Sequence, residues 1–194
     1  MPGAVAGSSV SDLALPSDFA SSDEIRIGVS ACLLGERVRH DGGHKHVRFL
    51  TETLAKFARF VPVCPEVELG LGTPREPIHI RREPGGLRLV GVRTGRDHTA
   101  AMRTYAVHRV RALSALDLSG YILKQGSPSC GMQGVPVHAG GAVVAHSGRG
   151  FFAEELLSCL TALPVEDERR LQNEAIRERF IERVFAYRRM RRRR

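Results

Sequence analysis

Apolar, β-branched residues fall in short runs, divided by polar turns rich in glycine and proline. Three runs, IRIGVS, RFVPV and GYILK, read as buried strands, and each is followed within a few residues by a cysteine: Cys32, Cys64 and Cys130. Between the first two, Leu50, Leu54 and Phe57 stand at i, i+4 and i+7 and predict a helix over 47–60 with those three on its buried face. Residues 78–93 alternate around Pro-Gly-Gly and predict a hairpin. Met102, Ala106, Val110 and Leu113 then mark a second helix, with Thr94 or Asp97 as its cap. Two more helices are expected at about 150–161 and 173–190, separated by Pro164, the last capped by Asn173.

The order strand, helix, strand, hairpin, helix, strand implies an α/β fold: a single domain with a mainly parallel, Rossmann-like sheet and flanking helices. A length of 194 residues, with 42% hydrophobic and 26% charged residues, fits one soluble domain. The first 24 residues are rich in Ala, Ser and Gly without periodicity and read as a flexible N-terminal extension. The folded domain is expected over 25–190, with 191–194 as a basic tail.

Parallel strands collect ligands at their carboxyl ends, where loops from different strands meet. Cys32, Cys64 and Cys130 all follow strand-like runs, so parallel pairing would set the three thiols on one rim. Several centres answer to that arrangement. Three protein ligands plus water is a catalytic zinc pattern, although no CxxC or zinc-spaced histidine pair accompanies it. Three thiolates can also hold a cubane iron–sulfur cluster and leave one iron open as a Lewis acid. A plain thiol nucleophile is the third reading.

Charge modifies this picture little. The formal charge of +8 invites a nucleic-acid partner, but six arginines lie in the closing RRMRRRR, and removing them leaves +2. The arginines read as a solvated helix end matched to the negative pole of the helix dipole, and nucleic acid is disfavoured. No apolar run reaches the roughly 20 residues of a membrane span. Neither a basic start nor an apolar centre of a secretory signal is present in the first 24 residues, so a cytoplasmic location is expected, where free thiols are the norm.

The segments VSACLLGERVRHDGGHK, VPVCPEVELGLGTPREP, ILKQGSPSCG and LPVEDERRLQNEAIRERFIERVFAYR, in order over roughly 26–190, resemble a bacterial domain-of-unknown-function family that includes the thiouracil desulfidases. The resemblance implies an oxygen-sensitive [4Fe-4S] cluster held by Cys32, Cys64 and Cys130, which takes sulfur from a small thiolated nucleobase without net redox change. It implies Glu66, in CPE, as the acid/base and Ser127, the first serine of SPSCG, as a helper hydroxyl. A carboxylate two residues beyond a ligand thiol cannot stray far from the centre, and a serine hydroxyl can serve a substrate carbonyl or an attacking water. The iron–sulfur assembly machinery follows as a partner. Other readings are a non-catalytic cluster carrier or sensor, and a zinc- or thiol-dependent hydrolase.

Asp41, Gly42 and Ser129 are candidate substrate contacts. His40 stands where family members often carry tyrosine. Cys159, in FFAEELLSCLTAL, reads as a core residue and not a fourth ligand. His44 and His46 read as solvated turn residues, and GLG at 70–72 is too short for a dinucleotide site.

Overall fold

A computed structural model describes residues 24–192; the expected N-terminal extension lies almost wholly outside them. Strand β1 (Ile25–Ser30) pairs in parallel with β2 (Ala58–Val63) on one side and β5 (Gly120–Leu123) on the other. A short strand, β8 (Val165–Asp167), adds in parallel to β5, giving a four-stranded parallel sheet of order β2-β1-β5-β8. Strand order reverses direction at β1, since the chain runs outward to β2 and then returns to the other side for β5. A crevice opens at such a switch point, beyond the carboxyl ends of the strands.

Both faces of this sheet are apolar, as full burial requires. Tyr121 and Leu123 of β5 meet Ala106, Val110 and Leu113 of helix α2 (Thr99–Ser114) and Phe152 and Leu156 of helix α3 (Phe151–Cys159). On the other face Ile25, Ile27, Val29 and Ile122 pack on Leu50, Leu54, and Phe180 and Val184 of helix α4 (Glu174–Arg192). Each fully buried side chain of this size contributes about 1.5–3 kcal/mol. Asn173 Oδ1 accepts the Ile176 amide at 3.1 Å, the expected cap of α4. At α2, Asp97 Oδ1 accepts the Thr99 amide at 2.7 Å, whereas Thr94 binds Glu76 in the preceding loop.

A second sheet was not foreseen from the sequence pattern. The expected hairpin, β3 (Ile78–Glu83) with β4 (Gly86–Gly91), joins a second hairpin, β6 (Val135–Ala139) with β7 (Ala142–Gly148), through a parallel β3–β6 pairing. Ile78, Ile80, Leu89, Val135 and Val137 cover Met102 and Phe151, closing the far side of α2 and α3.

Three sequence readings are corrected. Residues 49–56 form a wide turn followed by a 3₁₀ turn, not a regular helix over 47–60, so Phe57 swings out and is 46% exposed while Leu50 and Leu54 stay buried. Cys159 is no core residue: it sits at the exposed end of α3, its thiol donating to Glu155 Oε1 at 3.0 Å. The closing arginines are not all solvated, because Arg188 is mostly buried and paired with Asp117, and Arg191 lies 3.4 Å from the same carboxylate.

Candidate active site

The carboxyl ends of β1, β2 and β5 open into a cavity of about 300 Å³ whose wall includes Cys32, Cys64, Glu66, Arg75, Lys124, Ser127 and Cys130. Each cysteine arrives from a different strand. Cys32 lies in a 3₁₀ turn (Ala31–Leu34) directly after β1, held by its carbonyl, which accepts the Lys45 amide at 2.9 Å. Cys64 directly follows β2 and caps the one-turn helix α1 (Pro65–Glu68), where Pro65 occupies the first helical position, at which no amide hydrogen is needed. Its backbone amide donates to Glu68 Oε1 at 3.2 Å, and its thiol faces the Val38 carbonyl at 3.7 Å.

Cys130 comes from the loop after β5. Ser127 Oγ accepts the Ser129 and Cys130 amides at 3.2 and 3.0 Å, folding SPSC into a tight turn. The amino end of α3 fastens that turn from behind: the Phe151 amide donates to the Pro128 carbonyl at 3.1 Å, and those of Phe152 and Ala153 to the Ser129 carbonyl at 3.0 and 3.2 Å. Orphan amides of a helix start are thereby spent on holding a cysteine loop.

The thiols resist ionisation in the bare protein, and each feels its neighbours. Burial pushes Cys32 up to about 11, with the Cys64 thiol adding to the rise and the Lys124 ammonium and Arg39 guanidinium opposing it. Burial raises Cys64 as well. Cys130 is driven well above its ordinary value, chiefly by burial, with Glu66, Cys64 and Cys32 adding to it. Two buried thiols and one half-buried one of this kind would give up their protons to a soft metal centre, whose charge would replace the water they lack.

Glu66 sits on α1 two residues beyond Cys64, on the same cavity wall, and it is anchored twice. Arg75 Nε and Nη2 both donate to Oε2, at 3.0 and 2.7 Å, and Ser129 Oγ donates to Oε1 at 3.0 Å. The pair is largely shielded, with 6% of the Arg75 side chain and 14% of the Glu66 side chain exposed. Opposite, Lys124 Nζ donates to Glu168 Oε1 at 2.5 Å and to the Gln125 carbonyl at 2.7 Å.

The expected substrate contacts separate. Ser129 is fully buried beneath Glu66, while Ser127 lines the cavity. Asp41 is exposed, accepts the Gly43 amide at 2.9 Å and pairs with Arg39 at 3.4 Å; it and Gly42, at φ +73°, stand behind the wall that Arg39 and His40 form. Arg75 and Lys124 were missed in the sequence. The available signal for Arg75 was its place in TPREP, within the segment that begins at the Cys64 strand.

The donor set fits a thiolate-held cluster: Cys32, Cys64 and Cys130 reach one cavity from three different strands, and in a cubane each thiolate would meet a different iron.

Known proteins resemble this chain in sequence and fold. The family model described as 2-thiouracil desulfurase matches residues 27–168, a span that holds all three cavity cysteines and Glu66. A solved structure of the [4Fe-4S]-dependent thiouracil desulfidase TudS (DUF523Vcz) superposes with a TM-score of 0.58 at 32% identity, covering 79% of this chain and 97% of that one. The uncharacterized protein YbbK of Bacillus subtilis (strain 168) is 32% identical over 108 residues, 53% of this chain and 71% of the relative. With its parallel sheet, its three strand-end cysteines and a family match over most of its folded length, the chain belongs to the 2-thiouracil desulfurase family.

Proposed function

We propose that this protein replaces the sulfur of a small thiolated nucleobase, of the 2-thiouracil kind, with oxygen from water, at a [4Fe-4S] cluster held by Cys32, Cys64 and Cys130. The observation that carries this reading is the meeting of three strand-end thiols and one anchored carboxylate on a single cavity wall. The catalytic unit is residues 25–190. Its setting is a reducing cytoplasm, with the cluster supplied by iron–sulfur assembly machinery, since the three ligand thiols must stay reduced until loaded.

The reaction is balanced by water alone: a thiocarbonyl and water give a carbonyl and hydrogen sulfide. The cluster supplies a Lewis-acidic iron able to polarise the carbon–sulfur bond. The rest falls to the chain. Glu66 takes a proton from the attacking water; with Oε2 occupied by Arg75, Oε1 is the oxygen left to receive it. The guanidinium on Oε2 and the Ser129 hydroxyl on Oε1 fix the carboxylate in place, so no reorganisation is needed as the proton moves. Ser127 already accepts two amides, which leaves its own hydrogen to donate to a ring oxygen or nitrogen of the substrate. The Lys124 ammonium, braced by Glu168, puts positive charge where a departing hydrosulfide would need it.

The test is anaerobic purification, iron and sulfide analysis, and an assay for conversion of 2-thiouracil to uracil with release of sulfide. Brown protein holding about four irons per chain and turning over the thiolated base is expected. Cluster-loaded protein that converts no thiolated pyrimidine would overturn the reading.

A further inference from the structure

The amino end of α2 meets a second cavity, of about 400 Å³, whose wall includes Arg93, Arg96, His98 and Ala101 and which borders the thiol cavity at Arg75 and Ile78. His98 is 6% exposed, yet its ring makes no hydrogen bond among the described residues. The backbone on either side of that ring is pinned: the His98 amide donates to the Leu89 carbonyl at 2.8 Å, and its carbonyl accepts the Met102 amide at 2.9 Å. A buried polar ring normally has its bonds made, and the side left open to this one is the cavity. The pole of α2 supplies further donors. Asp97 Oδ1 takes the Thr99 amide and His98 the Met102 amide, but the Ala100 and Ala101 amides find no acceptor among the described residues.

Charge on this wall is unbalanced in the same sense. The Arg93 and Arg96 side chains are exposed, and neither guanidinium has an ion pair or hydrogen bond among the described residues. The wall's carboxylate is already spent: Glu76 Oε1 is bound by the Thr94 hydroxyl, and Oε2 accepts the Arg93 and Thr94 amides, both at 3.1 Å. Asp97, beside the helix start, is held by Thr99 and lies 3.7 Å from Arg88.

We propose that this cavity binds a small tetrahedral oxyanion, phosphate or sulfate, with the His98 ring and the Ala100 and Ala101 amides as donors and Arg93 and Arg96 as its counter-charges. Such an ion offers several acceptor oxygens to donors that converge from a helix start, where the helix dipole also favours negative charge. A neutral imidazole carries one N–H, so His98 can donate without taking up a proton. The site draws no donor from the cluster ligands, and its fate is separate from that of the proposed function.

The experiment titrates the full, anaerobically prepared chain with orthophosphate and, separately, with sulfate by isothermal titration calorimetry, against chloride at matched ionic strength. Saturable binding of at least one oxyanion, absent with chloride, is expected. The exposed pair Arg93→Gln and Arg96→Gln, made together, should keep the wild-type Tm and weaken that binding roughly tenfold or more, since two charge-assisted contacts are lost. His98→Gln should weaken it as well; if that buried substitution fails to fold, the arginine pair decides. No saturation with either oxyanion, or an affinity unchanged in the double arginine variant, would overturn the inference. Protein that binds the anion but desulfurates no thiolated pyrimidine would bring down the proposed function alone.

Discussion

Arg75 grips Glu66 by one oxygen only: its Nε and Nη2 both converge on Oε2, while Oε1 takes a single bond from Ser129. The two oxygens of one carboxylate thus have different surroundings, one neutralised by a guanidinium and the other held by a hydroxyl. Glu66→Gln keeps the shape and removes the base. It is expected to lower kcat by about 10²- to 10⁴-fold at unchanged iron content. Ser127→Ala loosens the turn whose Ser129 and Cys130 amides its hydroxyl accepts and removes the bond to substrate, at about 1 kcal/mol for each bond lost, and should harm turnover less than loss of the base. Full activity in loaded Glu66→Gln would remove the proton-transfer role.

The same contact predicts a stability pattern separate from turnover. Arg75→Met strands a shielded carboxylate, a loss of about 3–5 kcal/mol, whereas Glu66→Gln with the same Arg75→Met removes both charges and should recover much of it. Thermal unfolding of the four proteins measures the coupling. Strict additivity of the two single losses would mean that the pair contributes nothing beyond its separate parts.

Much of this site could be read from the chain, for a physical reason. Strands buried on both faces are short, largely apolar runs, and β1 and β5 stand out as such while the edge strand β2 keeps part of the pattern, so the placing of Cys32, Cys64 and Cys130 after them followed. Other parts carried no local mark. Strand β8 is three residues long and includes the buried acids Glu166 and Asp167, which no hydrophobic pattern would select. Strand β7 exposes most of its side chains and owes its register to β6. The turns at 49–56 keep Leu50 and Leu54 inward without helical geometry beyond them, so periodicity placed Phe57 wrongly. Arg75 and Lys124 depend on partners nine and 44 residues away, a pairing that only the folded chain creates.

The ligand assignment predicts a sharp contrast among the four cysteines. Alanine at Cys32, Cys64 or Cys130 removes a third of the donors and should bleach the anaerobic protein, whereas Cys159→Ala, at the exposed end of α3, should keep full colour. Visible absorption together with acid-labile sulfide reads this directly. A Cys159 variant that loses colour would reopen the question of a fourth ligand.

Gly150 makes the cysteine loop sensitive to a single methyl group. A Cβ there would stand 2.4 Å from the Ser129 carbonyl carbon and oxygen and 2.7 Å from the Cys130 nitrogen, inside any tolerable contact with backbone. Gly150→Ala must therefore push the Ser129–Cys130 peptide off the start of α3. The expected result is weak cluster retention with the fold largely kept, since the parallel sheet lies elsewhere. Full iron content and normal turnover in Gly150→Ala would show that the loop is not seated as tightly as its contacts imply.

The far sheet predicts an acid sensitivity unrelated to the cluster. His79 on β3 stacks on His138 of β6, ring centres 4.5 Å apart and planes 25° from parallel. Burial, then the His138 ring, then the Arg81 guanidinium lower the proton affinity of His79 below its ordinary value of 6.5. The unfolded chain therefore takes up a proton before the folded one does. Stability from this group is complete above about pH 6.5 and is lost as pH falls through the depressed folded value. His79→Gln should flatten the fall of Tm with acidification over that window, with little change at pH 8 where both forms are neutral. Thermal unfolding of the two proteins across pH 5 to 8 provides the check, and parallel curves would show that His79 is not a source of the slope.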